Sequence, residues 1–150
     1  MNKLILLLLF FASFQMVGQK VKFKKENILV GGEKWGGIET EIVGAKYTFS
    51  TLQGQEFVTM TFDGIETGQY DGNGKAIEEK FIVIKFLGVN MDPFETQAST
   101  RKQVVQWLVK TDVIQNGQFS LEQAQIFKEK YAYDVSGKYK KGTTIIIDGQ

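Results

Sequence analysis

Histidine and cysteine are absent from this chain, and proline and arginine each occur once. Each absence closes a class of chemistry. Without histidine there is no Ser–His–Asp or Cys–His relay in its usual form. Without either residue there is no zinc site built from the common nitrogen and sulfur ligands. The missing cysteine also removes disulfides and the thiol that carries the lipid of a lipoprotein. A lone arginine, Arg101, cannot form the arginine cluster that grips phosphate. No glycine-rich loop ending in Lys-Ser or Lys-Thr is present, and no dinucleotide fingerprint follows a strand. The sequence therefore assigns no catalytic residue, no metal ligand and no cofactor.

Charge of one sign is lacking too. Eighteen basic residues face seventeen acidic ones in the 150-residue chain. Nucleic-acid binding draws on a basic field, and this balance offers none, so no nucleic-acid partner is expected. The basic spots at Lys20–Lys25 and Lys138–Lys141 read as solvated lysines.

What is present begins at the start of the chain. Met1-Asn-Lys3 is followed by an uncharged apolar run, Leu4–Phe14, and then by Gln15-Met-Val-Gly18-Gln19. A short positive start, an apolar stretch and a small residue before a polar segment are the parts of a secretory signal peptide. A membrane-spanning helix needs roughly 20 apolar residues, and this run is shorter. The expected organisation is a signal peptide over 1–18 and one α+β domain over 19–150. The mature protein is expected in the periplasm or outside the cell, with no transmembrane helix and no lipid anchor.

The first half of the domain is strand-like. Val21–Lys24 alternates apolar and polar residues. Ile28–Val30 reaches a turn at Gly31-Gly32, and Lys34–Ile38 returns. Ala45–Ser50 and Glu56–Phe62 both show the period of two of a half-buried strand, and Gln53-Gly-Gln55 joins them as a hairpin. Asp63–Lys75, rich in glycine and acid, reads as a loop. Glu79–Leu87 is the most apolar run of the domain and reads as a central strand, ended by Asp92-Pro93.

The second half changes period. Ser99 or Thr100 caps a helix running to about Lys110, with Val104, Val105 and Leu108 on one face and Arg101, Lys102, Gln103 and Gln106 on the other. Asn116-Gly117 is a turn between helices. Ser120-Leu-Glu-Gln123 is a capping box opening a helix to about Tyr131, with Leu121, Ala124, Phe127 and Tyr131 on one stripe. A lysine-rich loop leads to a final strand at Thr143–Ile147. The expected fold is an antiparallel sheet of about five to seven short strands, two helices on one face, and the last strand returning to the sheet.

Three segments offer binding chemistry. Trp35, between Gly31-Gly32 and Gly36-Gly37, could stack on a sugar or fill a partner's pocket. Asp63, Glu66 and Asp71 give the glycine loop its oxygen atoms, enough for loose calcium binding or a partner contact. Asp112–Gln123 can be laid on a twelve-residue calcium loop, but Ile114 and Gln123 stand where two ligands are needed. A lipocalin-type barrel is disfavoured, because Gly32-Glu-Lys-Trp35 is one residue wider than that family's Gly-x-Trp.

The signal ending at Gly18-Gln19, the glycine-turn β region and Phe127-Lys-Glu-Lys-Tyr131 together resemble small exported proteins of Bacteroidota, of the flavobacterial kind. The resemblance implies an envelope or secreted setting and carries no activity. The expected function is a non-catalytic exported module binding an envelope protein, glycan or lipid. Two alternatives stand beside it. One is a hydrolase of envelope polymers using Asp63, Glu66, Asp71, Glu78 and Glu79. The other is a structural subunit of an envelope complex that pairs through Ile145–Ile147.

Overall fold

The computed structural model describes residues 20–140. The signal peptide expected over 1–18 and the strand expected at Thr143–Ile147 lie outside the described residues. Seven strands run in chain order, each antiparallel to the next: β1 (Val21–Lys24), β2 (Asn27–Val30), β3 (Glu33–Ile42), β4 (Lys46–Ser50), β5 (Glu56–Tyr70), β6 (Ala76–Phe86) and β7 (Phe94–Thr96). Such a meander follows from short connections, since a tight turn can only reverse a strand onto its neighbour. The sheet curls into a half-barrel.

Two helices follow the sheet and share its buried cluster, α1 (Arg101–Lys110) and α2 (Leu121–Tyr131). The Thr100 side chain accepts from the Gln103 N–H at 3.1 Å, while the Gln103 side chain accepts from the Ser99 N–H at 3.0 Å. Ser120 caps α2 by accepting from the Gln123 N–H. Between the helices, β8 (Ile114–Gln115) and β9 (Gln118–Phe119) make a small hairpin. Its turn places Asn116 and Gly117 at φ 51° and 78°, the two left-handed positions that favour Asn-Gly. The turn at Asn116-Gly117 therefore joins strands rather than the two helices directly.

The core gathers alternate residues from the strands and one stripe from each helix. Ile28, Ile38, Phe49, Val58, Met60, Ile82, Ile84 and Phe86 meet Val104, Val105, Leu108, Ala124 and Phe127 in one buried cluster. Leu121 lies outside it and is exposed, because it opens the first turn of α2 at the rim of the barrel. Aromatic rings run through the core in an unbroken chain: Trp35 on Phe57, Phe57 on Phe119, Phe119 on Phe86, Phe86 on Phe127, and Phe127 on Tyr131, with centroids 5.0–6.0 Å apart. Tyr131 then stacks on Trp107 at 4.3 Å with the rings only 4° from parallel, joining α1 to α2.

The structure departs from expectation in three more places. Asp63–Tyr70 is the continuation of β5, not a loop, and β6 begins at Ala76 to meet it. A further strand, β7, follows Pro93 and gives β6 a neighbour on each edge, β5 on one and β7 on the other. A short helix, α3 (Val135–Lys140), forms within the lysine-rich stretch. It lies against β5 and β7. Phe94 and Thr96 are buried, Phe94 in the core, which turns Glu95 the other way, and the Glu95 carboxylate accepts from the Ser136 N–H at 2.7 Å. Phe81, opposite in direction to core residue Ile82, and Val135 are both buried outside the main core.

Candidate functional site

The four residues singled out from sequence do not converge. Trp35 sits near the start of β3, half-buried, with its ring edge-on to Phe57 at 6.0 Å. Register runs from Gly37 across to Ser50 and Glu56 at that end of the sheet, and from Ile42 to Lys46 and Thr61 at the other. Asp63 lies beyond the second end, so Trp35 and Asp63 are separated by more than about 20 Å of strand. The glycines beside Trp35 serve the neighbouring strand. A side chain at Gly36 would collide with the Ser50 carbonyl oxygen, and one at Gly37 with the Ser50 hydroxyl. What approaches closely there is β4 itself.

Asp63, Glu66 and Asp71 all belong to one projection. β4 accompanies β5 as far as Thr61, and β7 accompanies β6 only over Ile82–Ile84. Past those points β5 and β6 pair with each other alone, from Asp63↔Phe81 through Glu66↔Glu78 to Tyr70↔Ala76. Among the described residues the result is a two-stranded ribbon with no further strand on either edge. Within it Asp63 accepts from the Gly64 N–H at 2.8 Å. Asp71 holds the tip, its Oδ1 accepting from the N–H groups of Asn73 and Lys75, both at 2.9 Å. Glu66 stands directly across from Glu78, a like-charge pairing that costs stability in a sheet. The ribbon carries five carboxylates (Asp63, Glu66, Asp71, Glu78, Glu79) and two lysines (Lys75, Lys80). Toward its tip apolar side chains open to solvent, Tyr70 at 68% and Ile77 at 39% exposure, while Ile65 is half-buried and Phe81 at its base is buried. No group of three or more metal-ligating side chains comes together among the described residues.

The segment Asp112–Gln123 does not take the shape of a calcium loop. Asp112 accepts instead from the Gln115 side-chain amide, and the β8–β9 hairpin occupies the middle of the segment.

A second feature was not singled out from sequence. An open cavity of about 340 Å³ lies where the β1–β2 turn, β3 and the first turn of α1 meet, lined by Phe23, Lys25, Glu26, Ile38, Glu39, Thr40 and Arg101. The Arg101 guanidinium rests 4.6 Å from the Phe23 ring centre and 5.2 Å from that of Tyr47. The signal for it was available. Arg101 is the chain's one arginine, and it opens a helix, where the positive end of the dipole disfavours a cation.

Beyond the cavity on β3, the Glu41 carboxylate accepts from both Lys46 Nζ and Thr48 Oγ1. The lysine first, and then the threonine hydroxyl, hold Glu41 below its ordinary pKa. Burial of Tyr131 pushes its phenol above the usual range.

No protein-family model matches the chain, and no curated protein or solved structure matches it either. No helix among the described residues is long and apolar enough to cross a membrane.

Proposed function

We propose that this protein is an exported, non-catalytic binding module, and that the β5–β6 ribbon grips a protein of the envelope or cell exterior. The observation that carries the reading is the ribbon itself. Two strands leave the sheet, expose an aromatic and a branched apolar side chain, and pair with no further strand among the described residues. Open edges add a partner's strand readily, and exposed Tyr is favoured where binding energy concentrates. Five carboxylates against two lysines select a basic partner surface. Export is supported by the signal-like segment Met1–Gln19, and it sets the periplasm or the exterior as the place of encounter.

Native mass spectrometry of the chain recovered from its own host tests this. The expected species begins near Gln19 and carries an added protein mass that dissociates as salt is raised. A chain with Tyr70→Ser and Ile77→Ser should lose that mass. A bare monomer, or a partner retained in full by the double variant, would contradict the reading. A mass starting at Met1 would contradict export.

A further inference from the structure

We infer that the Arg101 cavity is a binding site for a small zwitterion, a free amino acid or a compound of like chemistry, with its carboxylate on Arg101 and its ammonium on Glu26 or Glu39. The site lies on β1, β3 and α1 and shares no residue with the ribbon, so it stands or falls separately from the protein-binding role.

The argument begins with the arginine. An arginine on a surface helix normally reaches into water or finds a carboxylate. Arg101 does neither of these in a simple way. Its guanidinium is packed against Phe23 and Tyr47, and among the described residues it forms no ion pair, the single pair there being Lys46–Glu41. Ring contacts use the flat faces of a guanidinium and leave the N–H groups on its rim free. No polar side-chain atom in the described residues is both buried and without a hydrogen-bond partner, so those N–H groups are not sealed in protein. Arg101 lines the cavity. The rings therefore hold a rigid fork of donors at its wall, the geometry that matches a carboxylate through two parallel hydrogen bonds.

The rest of the lining decides what accompanies the carboxylate. Glu26 and Glu39 lie in the same wall, and neither reaches Arg101 within ion-pair distance. With Lys25 and Arg101 they make two positive and two negative groups around one space. A simple anion would meet the arginine but also two carboxylates. A simple cation would meet the reverse. A ligand with one charge of each sign satisfies both, and its charged ends complete the pairing that the protein leaves open across the gap. Phe23 and Ile38 supply apolar surface, and Thr40 a hydroxyl. A volume of about 340 Å³ lies at the small end of ligand sites, suited to a ligand of amino-acid size.

Isothermal titration of the whole chain with L-alanine, L-glutamine and L-phenylalanine tests this, with acetate and methylammonium as the two half-ligands and glucuronate as an acid that lacks an ammonium. At least one amino acid should bind saturably and at least about tenfold more tightly than either half-ligand. Arg101→Gln should weaken that binding by about tenfold or more, and so should the double change Glu26→Gln with Glu39→Gln. Arg101→Lys keeps the charge but not the fork, and should fall between wild type and Arg101→Gln. Glu26 and Glu39 are exposed, so their variant remains informative even if loss of Arg101 perturbs folding. Absence of amino-acid binding at millimolar concentration would overturn the inference. So would tighter binding of acetate or glucuronate than of any amino acid, or amino-acid binding unchanged by the Glu26/Glu39 variant.

Discussion

One hairpin behaves as two materials. In its inner half, β5 and β6 place Val58, Met60, Ile82 and Ile84 in the core with no solvent exposure, flanked by strands on both edges and helices above. In its outer half the same two strands pair with no other strand among the described residues, their register shifts between Glu66 and Tyr70, and Tyr70 and Ile77 face water. The pairing is antiparallel in both, continuous in the inner half and interrupted by the register shift in the outer. What also differs is what lies against the side chains. Pairing alone leaves a two-stranded ribbon marginal, so the inner half supplies the anchor and the outer half is free to serve a partner.

The comparison can be broken most sharply from the core side. Phe127 contacts Phe86, Phe94 and Tyr131 and is fully buried. Phe127→Ala should cost about 3–5 kcal/mol in a denaturant titration, through lost burial and the cavity left behind. A loss under about 1 kcal/mol would mean that the aromatic chain is not the anchor. Next in size is Gly36→Ala, where the new methyl meets the backbone of β4 rather than a movable side chain. A loss of about 1–3 kcal/mol is expected, and a neutral result would show that β3 and β4 separate easily.

A smaller effect follows from Glu41. Folding favours its ionised form, so its folded pKa lies below the ordinary 4.5. Its contribution is therefore in place above that ordinary value and is lost as pH falls through the lower, folded-state value. Midpoints of urea unfolding measured from about pH 3 to pH 6 should fall less steeply with acid in Glu41→Gln than in wild type. Equal slopes would remove Glu41 from the acid response. The smallest effect belongs to the ribbon: Tyr70→Ser with Ile77→Ser should change stability by no more than about 0.5 kcal/mol, although the same pair is expected to abolish partner binding.

Legibility in the sequence followed the same division. Where side chains are packed, their period showed. Ala45–Ser50, Glu56–Phe62 and the stripe Val104, Val105, Leu108 all read correctly, and Thr100 and Ser120 marked the helix starts because capping is a local interaction. Where packing stops, the period stops. Asp63–Tyr70 contains Gly64 and Gly68 and alternates weakly, since neither of its faces has to be wholly apolar, and a strand without a buried face resembles a loop. β7 spans only Phe94–Thr96 and is held by β6 rather than by its own pattern. Helix α3 contains Gly137 and few apolar residues, and tertiary contacts such as Glu95 with Ser136 fix it in place.

The candidate sites were less legible than the fold. Trp35 drew attention as a flanked tryptophan, but its glycines answer to Ser50 on the next strand, a contact that register alone reveals. On its spacing alone Arg101 belongs to the polar face of a helix. Its meaning depends on Phe23, seventy-eight positions earlier in the chain, and on Tyr47. No spacing rule brings those three together before the sheet has curled.

Native-state amide hydrogen exchange along β5 and β6 tests the central division most directly. Amides of Val58–Thr61 and Ile82–Phe86 should exchange only through global unfolding, while those of Ile65–Tyr70 and Ala76–Glu79 should exchange through local opening, at least about a hundredfold faster. Uniform protection along both strands would contradict the account, because it would mean that the ribbon is held by packing as firmly as the core.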